Sequence, residues 1–316
     1  MIRRTKWLHV QWLAGVFGWL AAAFSCPQAA LAETFARQGL SVGGVARSYL
    51  LYEPQHEGNG ERPLVILLHG GGGSARQIAD HVGAGFAALA DQHGFYIVVP
   101  DAVDGSWDFG EGLVSEARAR RVDDRAFFGA LLDALPSQLP IDRRRVFATG
   151  ISRGGQASYF MACSFPGRIR AIAPVAMPLP LIMRDACSQG PPVGLAIFNG
   201  VADPIVPYDG GWITIGRHRR DEVLSTEDTV ALWRNRNACG TTPASFEQID
   251  LANDGMRVEK TSWGACAETP VLLYRIVGGG HTWPGSERNL PEWLVGRINH
   301  DISATNEIWA FFSQFE

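Results

Sequence analysis

The residues with the clearest chemical potential form a G-x-S-x-G pattern, Gly150-Ile-Ser-Arg-Gly154, centred on Ser152. An apolar run ends at Ala148 just before it, and residues 156–165 after it have helical character. A serine on such a tight strand-to-helix turn exposes its hydroxyl, and the small glycines let strand and helix approach closely. The helix N-terminus also favours negative charge developing nearby. The pattern therefore predicts a nucleophile; the alternative is a serine that only caps the helix.

A nucleophilic serine needs a base to take its proton, and the base needs an acid to orient it. Asp203 follows the apolar run 193–198, and His281 follows the run 271–277 through three glycines. In a doubly wound sheet, functional side chains gather at the carboxyl ends of the strands. The chain order Ser152, Asp203, His281 is the nucleophile–acid–base order of α/β-hydrolases, and it differs from the chymotrypsin and subtilisin orders.

Other residues compete for the acid and base positions. Asp209 and Asp221 lie further along the loop that contains Asp203, and His300 lies beyond the glycine turn. Asp203 is preferred because it is nearest to the end of its strand. Taken singly, Asp203 could be a turn residue before proline and His281 a packed loop histidine; their order along the chain favours the catalytic interpretation.

The loop His69-Gly70-Gly71-Gly72 predicts an oxyanion hole. Backbone N–H groups in such a loop stabilise the alkoxide of an acyl-transfer intermediate. We expect one donor from Gly71 or Gly72 and the second from the N–H of Arg153, with His69 in a structural role. A phosphate-binding loop is the alternative, but no G-K-[ST] sequence follows these glycines.

Alternating apolar runs and amphipathic segments must position these groups. Short apolar runs typical of strands buried on both faces occupy residues 63–68, 95–99, 145–148, 169–175, 193–198 and 271–277. Helices are expected at 75–92, 123–135, 156–165, 226–235 and 303–315, an early strand at 48–53, and a hairpin of strands 246–251 and 256–262 around Asn253-Asp254-Gly255. The pattern predicts an α/β-hydrolase fold with a mostly parallel, doubly wound sheet. The stretch between Met177 and Pro192 is too short for a large lid domain.

The N-terminus resembles an export signal. Arg3, Arg4 and Lys6 precede an apolar stretch, and Ala30-Leu31-Ala32 provides a cleavage site. We expect residues 1–32 to be a secretory signal peptide and residues 33–316 a single α/β-hydrolase domain, secreted or periplasmic, with no stable membrane anchor. Of the chain's 316 residues, 46% are apolar and 19% charged, as in ordinary globular proteins. The mature part carries a formal charge of −7 and no long basic tract, so nucleic acid is not an expected partner.

Four cysteines remain after the signal: Cys163, Cys187, Cys239 and Cys266. An even number in an oxidising compartment predicts two disulfides with three possible connectivities. The sequential pairs Cys163–Cys187 and Cys239–Cys266 are favoured because each closes a short loop. The spacing does not match that of a metal site, and neither a metal nor another cofactor is expected.

Five motifs together resemble one family. They are LHGGGGSA at 68–75, GISRGG at 150–155, GVADPIVPY at 200–208 followed by Gly210-Gly211, the stretch 233–239, and GGGHTWPG at 278–285. The chain is similar from about residue 47 onward to esterases of the poly(3-hydroxybutyrate) depolymerase family, which are related to feruloyl and acetylxylan esterases of carbohydrate esterase family 1. The resemblance implies a secreted serine esterase with the triad on the same three residues. Relatives often carry an uncharged residue where this chain has Arg153.

The resemblance favours hydrolysis of poly- or oligo(3-hydroxybutyrate)-type esters, with feruloyl or acetylxylan esters of plant cell walls as the alternative substrates. A non-catalytic module that binds cell-wall polymers is a third possibility, although such a module has no need of a complete triad and oxyanion loop. Trp107 and Trp283 are candidate substrate contacts, with packing in the core as the alternative.

Overall fold

A large mixed sheet organises the computed structural model, which describes residues 35–56, 58, 60–110, 122–264, 266, 269–287 and 290–315. Ten strands in the order β1-β2-β4-β3-β5-β6-β7-β12-β11-β10 form the sheet, and β8 and β9 form a separate hairpin. The strands are β1 Ala36–Val42, β2 Val45–Tyr52, β3 Arg62–Leu68, β4 Tyr96–Pro100, β5 Ile141–Ile151, β6 Ala171–Val175, β7 Gly194–Gly200, β8 Gly211–Ile215, β9 His218–Val223, β10 Ser245–Ile249, β11 Arg257–Trp263 and β12 Val271–Val277.

The six central strands β4-β3-β5-β6-β7-β12 are parallel. They coincide with the continuous apolar runs of the sequence, because strands covered by helices on both faces have no polar side to present to water. The antiparallel strands β1 and β2 extend one edge of the sheet, and β10 and β11 extend the other. The predicted mostly parallel α/β architecture is confirmed.

Helices cover both faces of the sheet and create two separate cores. The helices are α1 Ala75–Ile78, α2 Ala84–His93, α3 Asp124–Gln138, α4 Arg153–Ser164, α5 Arg184–Cys187, α6 Thr226–Arg236, α7 Glu292–Val295 and α8 Ala304–Phe312, and 3-10 turns occupy Val103–Gly105 and Leu181–Met183. Side chains of Ser74, Ser225 and Ser303 cap the N-termini of α1, α6 and α8. Serine is favoured there because its oxygen accepts from a backbone N–H that has no helical partner.

Several elements depart from the expected boundaries. The helix expected at 75–92 is interrupted by a π-helical turn, Ala79–Gly83, between α1 and α2. β1 and the hairpin β8–β9 were not predicted, because both are largely exposed and lack a buried apolar run. The hairpin around Asn253 is confirmed as β10–β11, with a loop from residue 250 to residue 256 rather than a two-residue turn.

Two disulfides tie the loops around the sheet, Cys163–Cys187 and Cys239–Cys266, and they are the pairs favoured from the sequence. Cys163 lies in α4, the helix that follows Ser152, and Cys187 ends α5. The expected signal peptide, residues 1–32, lies outside the described residues. Among the helices that are described, none is long and apolar enough to cross a membrane.

Candidate active site

Ser152 stands on the sharp turn between β5 and α4. Its backbone has φ 56° and ψ −123°, a conformation that residues other than glycine rarely adopt. The N–H of Ser152 donates to the carbonyl of Val175 on the neighbouring strand β6 at 2.9 Å, which holds the turn in place. A strained serine at the end of a central strand, directly before a helix, has the geometry of a nucleophile elbow.

The glycines on either side of Ser152 are required by packing. A Cβ atom on Gly150 would meet Gly154 and the carbonyl oxygen of Leu68, and one on Gly154 would collide with that same oxygen. Strand β3, which ends at Leu68, therefore crosses the elbow at backbone contact distance. This close approach brings the loop after β3 next to Ser152.

Asp203 and His281 lie together at the carboxyl ends of β7 and β12. Nδ1 of His281 is 2.7 Å from Oδ2 of Asp203, and both side chains are buried. The other carboxylate oxygen, Oδ1, accepts the backbone N–H groups of Ile205 and Val206, each at 2.8 Å. These two amides fix the carboxylate orientation, so that Oδ2 remains available to accept Nδ1–H of the imidazole. That tautomer leaves Nε2 of His281 as a proton acceptor.

The alternative candidates for the acid and the base are not part of the Asp203–His281 pair. Asp221, on β9, forms an ion pair with Arg153, with Nη1 of the arginine 3.2 Å from the carboxylate. Asp209 and His300 are both exposed. His300 lines a surface cavity of about 340 Å³ together with Arg297 and Glu292.

The loop after β3 lies against Arg153. A Cβ atom on Gly71 would come within 2.9 Å of the Arg153 Cδ, so the loop and the arginine stem are in direct contact. The N–H of Gly72 donates to the carbonyl of Gly105 at 2.8 Å, which excludes it as an oxyanion donor in this conformation. Gly72, one of the two glycines expected to donate in the oxyanion hole, is therefore not a donor in this structure. Gly71 keeps its amide without an acceptor among the described residues, and Arg153, at the first helical position, has no intrahelical acceptor for its N–H.

The ring of His69 stabilises this loop through two contacts with the backbone. Its Nδ1 lies 2.8 Å from the carbonyl of Gly70, and its Nε2 lies 3.1 Å from the backbone nitrogen of Ala102. Both contacts are satisfied when Nδ1 carries the proton and Nε2 accepts, which requires a neutral imidazole. Burial lowers the pKa of His69, although the nearby Asp101 opposes this shift. The structure thus agrees with the structural role expected for His69.

The two predicted substrate tryptophans belong to the core, which corrects that expectation. Trp107 is fully buried, donates its Nε1–H to the carbonyl of His69 at 3.0 Å and packs on that imidazole. Trp283 is 1% exposed and donates to the Thr305 hydroxyl at 3.1 Å. Both indoles are sealed away from solvent, so neither side chain is open to a ligand.

Exposed tryptophans occur at two positions that the sequence interpretation missed. Trp212 on β8 is 46% exposed and Trp293 on α7 is 83% exposed. The backbone of α7 borders the catalytic histidine candidate, because the N–H of His281 donates to the carbonyl of Val295. Sequence spacing gives no signal for this exposure, since a tryptophan on a short surface element resembles one in the core. Within the described part of the chain, no cluster of three or more metal-ligating side chains occurs.

The sheet order, the strained serine elbow and the buried Asp–His pair define an α/β-hydrolase. The solved acetyl xylan esterase from Aspergillus awamori shares the fold, with a TM-score of 0.57 and 16% identity over 88% of this chain and 99% of that one.

Known esterases are similar to this chain in sequence as well. The family model described as Esterase PHB depolymerase matches residues 47–188. The putative esterase NocK of Nocardia uniformis subsp. tsuyamanensis is 29% identical over 87% of this chain and 81% of its own length, and feruloyl esterase D of Neurospora crassa is 24% identical over 87% and 84%. Over residues 47–188 the chain is thus similar to esterases of the PHB depolymerase family, and it is a carboxylic-ester hydrolase of the serine type.

Proposed function

We propose that Ser152, His281 and Asp203 form the catalytic triad of this esterase, with the N–H groups of Gly71 and Arg153 as the oxyanion hole. The observation that carries the proposal is the combination of the strained Ser152 elbow with the 2.7 Å contact between His281 Nδ1 and Asp203 Oδ2. These two features stand at the carboxyl ends of parallel strands in one sheet, where such chemistry is expected.

In the first half-reaction, Nε2 of His281 takes the proton of the Ser152 hydroxyl while Oγ bonds to the ester carbonyl carbon. The carbonyl oxygen becomes an alkoxide held by the two backbone N–H groups. The bond to the alcohol oxygen then breaks, and His281 returns its proton to that oxygen. Water then attacks the acyl-enzyme: it gives a proton to His281 as its oxygen bonds to the acyl carbon. The bond from that carbon to Ser152 Oγ breaks, and His281 returns the proton to Oγ, which releases the acid and restores the Ser152 hydroxyl.

The proposed substrates are esters of the 3-hydroxybutyrate type, as polymer or oligomer. The match to the PHB depolymerase family model supports this choice. The alternative is an ester of a plant cell-wall polysaccharide, which the similarity to feruloyl esterase D supports. Exposed Trp212 and Trp293 are candidate contacts for either type of chain.

We further propose that the enzyme acts outside the cytoplasm, after loss of residues 1–32. The two disulfides support this location, because such bonds persist in oxidising compartments.

The test uses wild-type enzyme and Ser152→Ala on hydroxybutyrate oligomers, methyl ferulate, acetylated xylan and a short p-nitrophenyl ester. A fluorophosphonate probe should label Ser152 in the wild type, and Ser152→Ala should lose both labelling and hydrolysis of every substrate. The proposal expects the highest kcat/KM on the hydroxybutyrate oligomers. Undiminished turnover by Ser152→Ala would refute the triad, and binding of polymer without hydrolysis would identify a non-catalytic module.

A further inference from the structure

The side chain of Arg153 is unusual for a position next to a nucleophile because it is charged and mostly buried. It is 19% exposed, and its partner Asp221 is 10% exposed. Besides the 3.2 Å pair with Asp221, the guanidinium donates from Nη2 to the carbonyl of Trp107 at 3.0 Å and lies over the Phe109 ring at 5.5 Å. One side chain thus joins the elbow to β9 and to the segment after β4.

The guanidinium retains hydrogen-bond donors. It has five N–H groups, of which the contacts to Asp221 and Trp107 account for two. Nε is buried and has no acceptor among the described residues. Burial lowers the pKa of Arg153, as expected for a cation that has lost much of its water. The aliphatic stem contacts Gly71, and the side chain as a whole keeps 19% of its surface exposed.

The sheet order places these donors on the acyl side of the site. Strand β5, which carries Ser152, has β3 and β4 on one side and β6, β7 and β12 on the other. Because His281 must reach the leaving oxygen, the alcohol lies on the β7–β12 side. We place the acyl substituent on the opposite, β3–β4 side, where two contacts of Arg153 lie, the backbone of Gly71 and the carbonyl of Trp107. The third partner, Asp221, lies on β9.

We propose that the Arg153 guanidinium, held by Asp221, donates a hydrogen bond to an uncharged oxygen on the acyl group, and that it makes the enzyme selective for short oxygen-bearing acyl groups. This inference rests on the proposed function and names a residue that determines its specificity. An uncharged oxygen fits because the surrounding charges balance, with Asp221 and Asp108 opposing Arg153 and Arg220. A 3-hydroxyl or the ester oxygen of a following unit is the kind of acceptor meant.

The decisive measurement compares methyl 3-hydroxybutyrate with methyl 3-methylbutyrate, which differ by a hydroxyl in place of a methyl of similar size. Wild-type enzyme should favour the hydroxyl ester by about tenfold in kcat/KM, the size expected for a hydrogen bond to a charged donor. The ratio should fall to about one in Arg153→Met, whatever the absolute rate of that variant. Arg168→Met is the matched control, because Arg168 pairs with Asp133 at the surface at 2.8 Å, and it should keep the wild-type ratio.

A second comparison tests the charge balance. Asp221→Asn removes the negative partner, so monomethyl succinate should gain several-fold relative to methyl levulinate, its uncharged analogue. Wild-type enzyme that prefers monomethyl succinate would overturn the choice of an uncharged acceptor.

The outcomes separate this inference from the proposed function. A wild-type ratio near one, with turnover still dependent on Ser152, overturns the role of Arg153 and leaves the serine mechanism intact. Because this ratio is measured on the wild-type enzyme, it does not depend on whether a variant of Arg153 folds. Turnover of both methyl esters that persists in Ser152→Ala overturns the proposed function instead.

Discussion

The strained backbone of Ser152, the proposed nucleophile, should reduce the stability of the fold. Replacing this serine by glycine should raise the free energy of unfolding, because glycine adopts φ 56° and ψ −123° without the clash of a Cβ atom. Strain of this kind is worth about 1–3 kcal/mol per residue. Glycine also loses more chain entropy on folding, which offsets about 0.5–1 kcal/mol of the gain. From the midpoints of these two ranges, the net expected increase is about 1.3 kcal/mol.

Ser152→Ala is the matched variant for this experiment. It removes the hydroxyl but keeps Cβ, so it should keep the strain and have nearly wild-type stability. Reversible urea unfolding with both disulfides intact measures the difference, and Ser152→Gly should melt about 2–6 °C above Ser152→Ala. Both variants should lose about 10⁶ in kcat if Ser152 is the nucleophile.

Substituting glycine for a serine whose backbone is unstrained provides the control. Ser303 has φ −99° and accepts the N–H of Asn306 as the cap of α8, so Ser303→Gly should lose a few tenths of a kcal/mol. If Ser152→Gly is no more stable than Ser152→Ala, the elbow holds no strain and the argument fails.

Three further predictions follow from single contacts at the site. Asp203→Asn should lower kcat by about 10⁴, because the Ile205 and Val206 amides hold the side-chain oxygen and turn its NH₂ toward His281 Nδ1, which imposes the wrong tautomer. Asp209→Asn should leave kcat within a few-fold, and equal losses in the two variants would contradict the assignment. Burial lowers the pKa of His69. Below about pH 6.5 the unfolded chain therefore binds more protons at this residue than the folded chain does, so the free energy of unfolding falls as the pH falls. His69→Asn should flatten that part of a plot of unfolding free energy against pH, and identical slopes would count against it. Trp107→Phe should cost about 1–3 kcal/mol by leaving the buried His69 carbonyl without its donor, whereas a raised KM with unchanged stability would restore Trp107 as a substrate contact.

Much of the fold follows from local sequence, because continuous apolar runs can be buried only as central strands between helices. The runs at 63–68 and 193–198 became β3 and β7. The even cysteine count predicted two disulfides, and the preference for short loops selected the pairs that the structure has. β1 and the hairpin β8–β9 were missed because their stability comes from edge pairing and from contacts such as Arg153–Asp221, which join residues far apart in the chain.

The sequence alone determined which residues are candidates for the chemistry, since G-x-S-x-G, the Asp-Pro turn and the three-glycine loop each follow an apolar run. The tertiary structure decided which candidates meet. It paired His281 with Asp203, gave Asp221 to Arg153 and committed the Gly72 amide to Gly105. It also buried both predicted substrate tryptophans and exposed Trp212 and Trp293. The reason is that exposure and hydrogen-bond partners depend on what packs against a residue from distant parts of the chain, and local residue types and spacing do not contain that information.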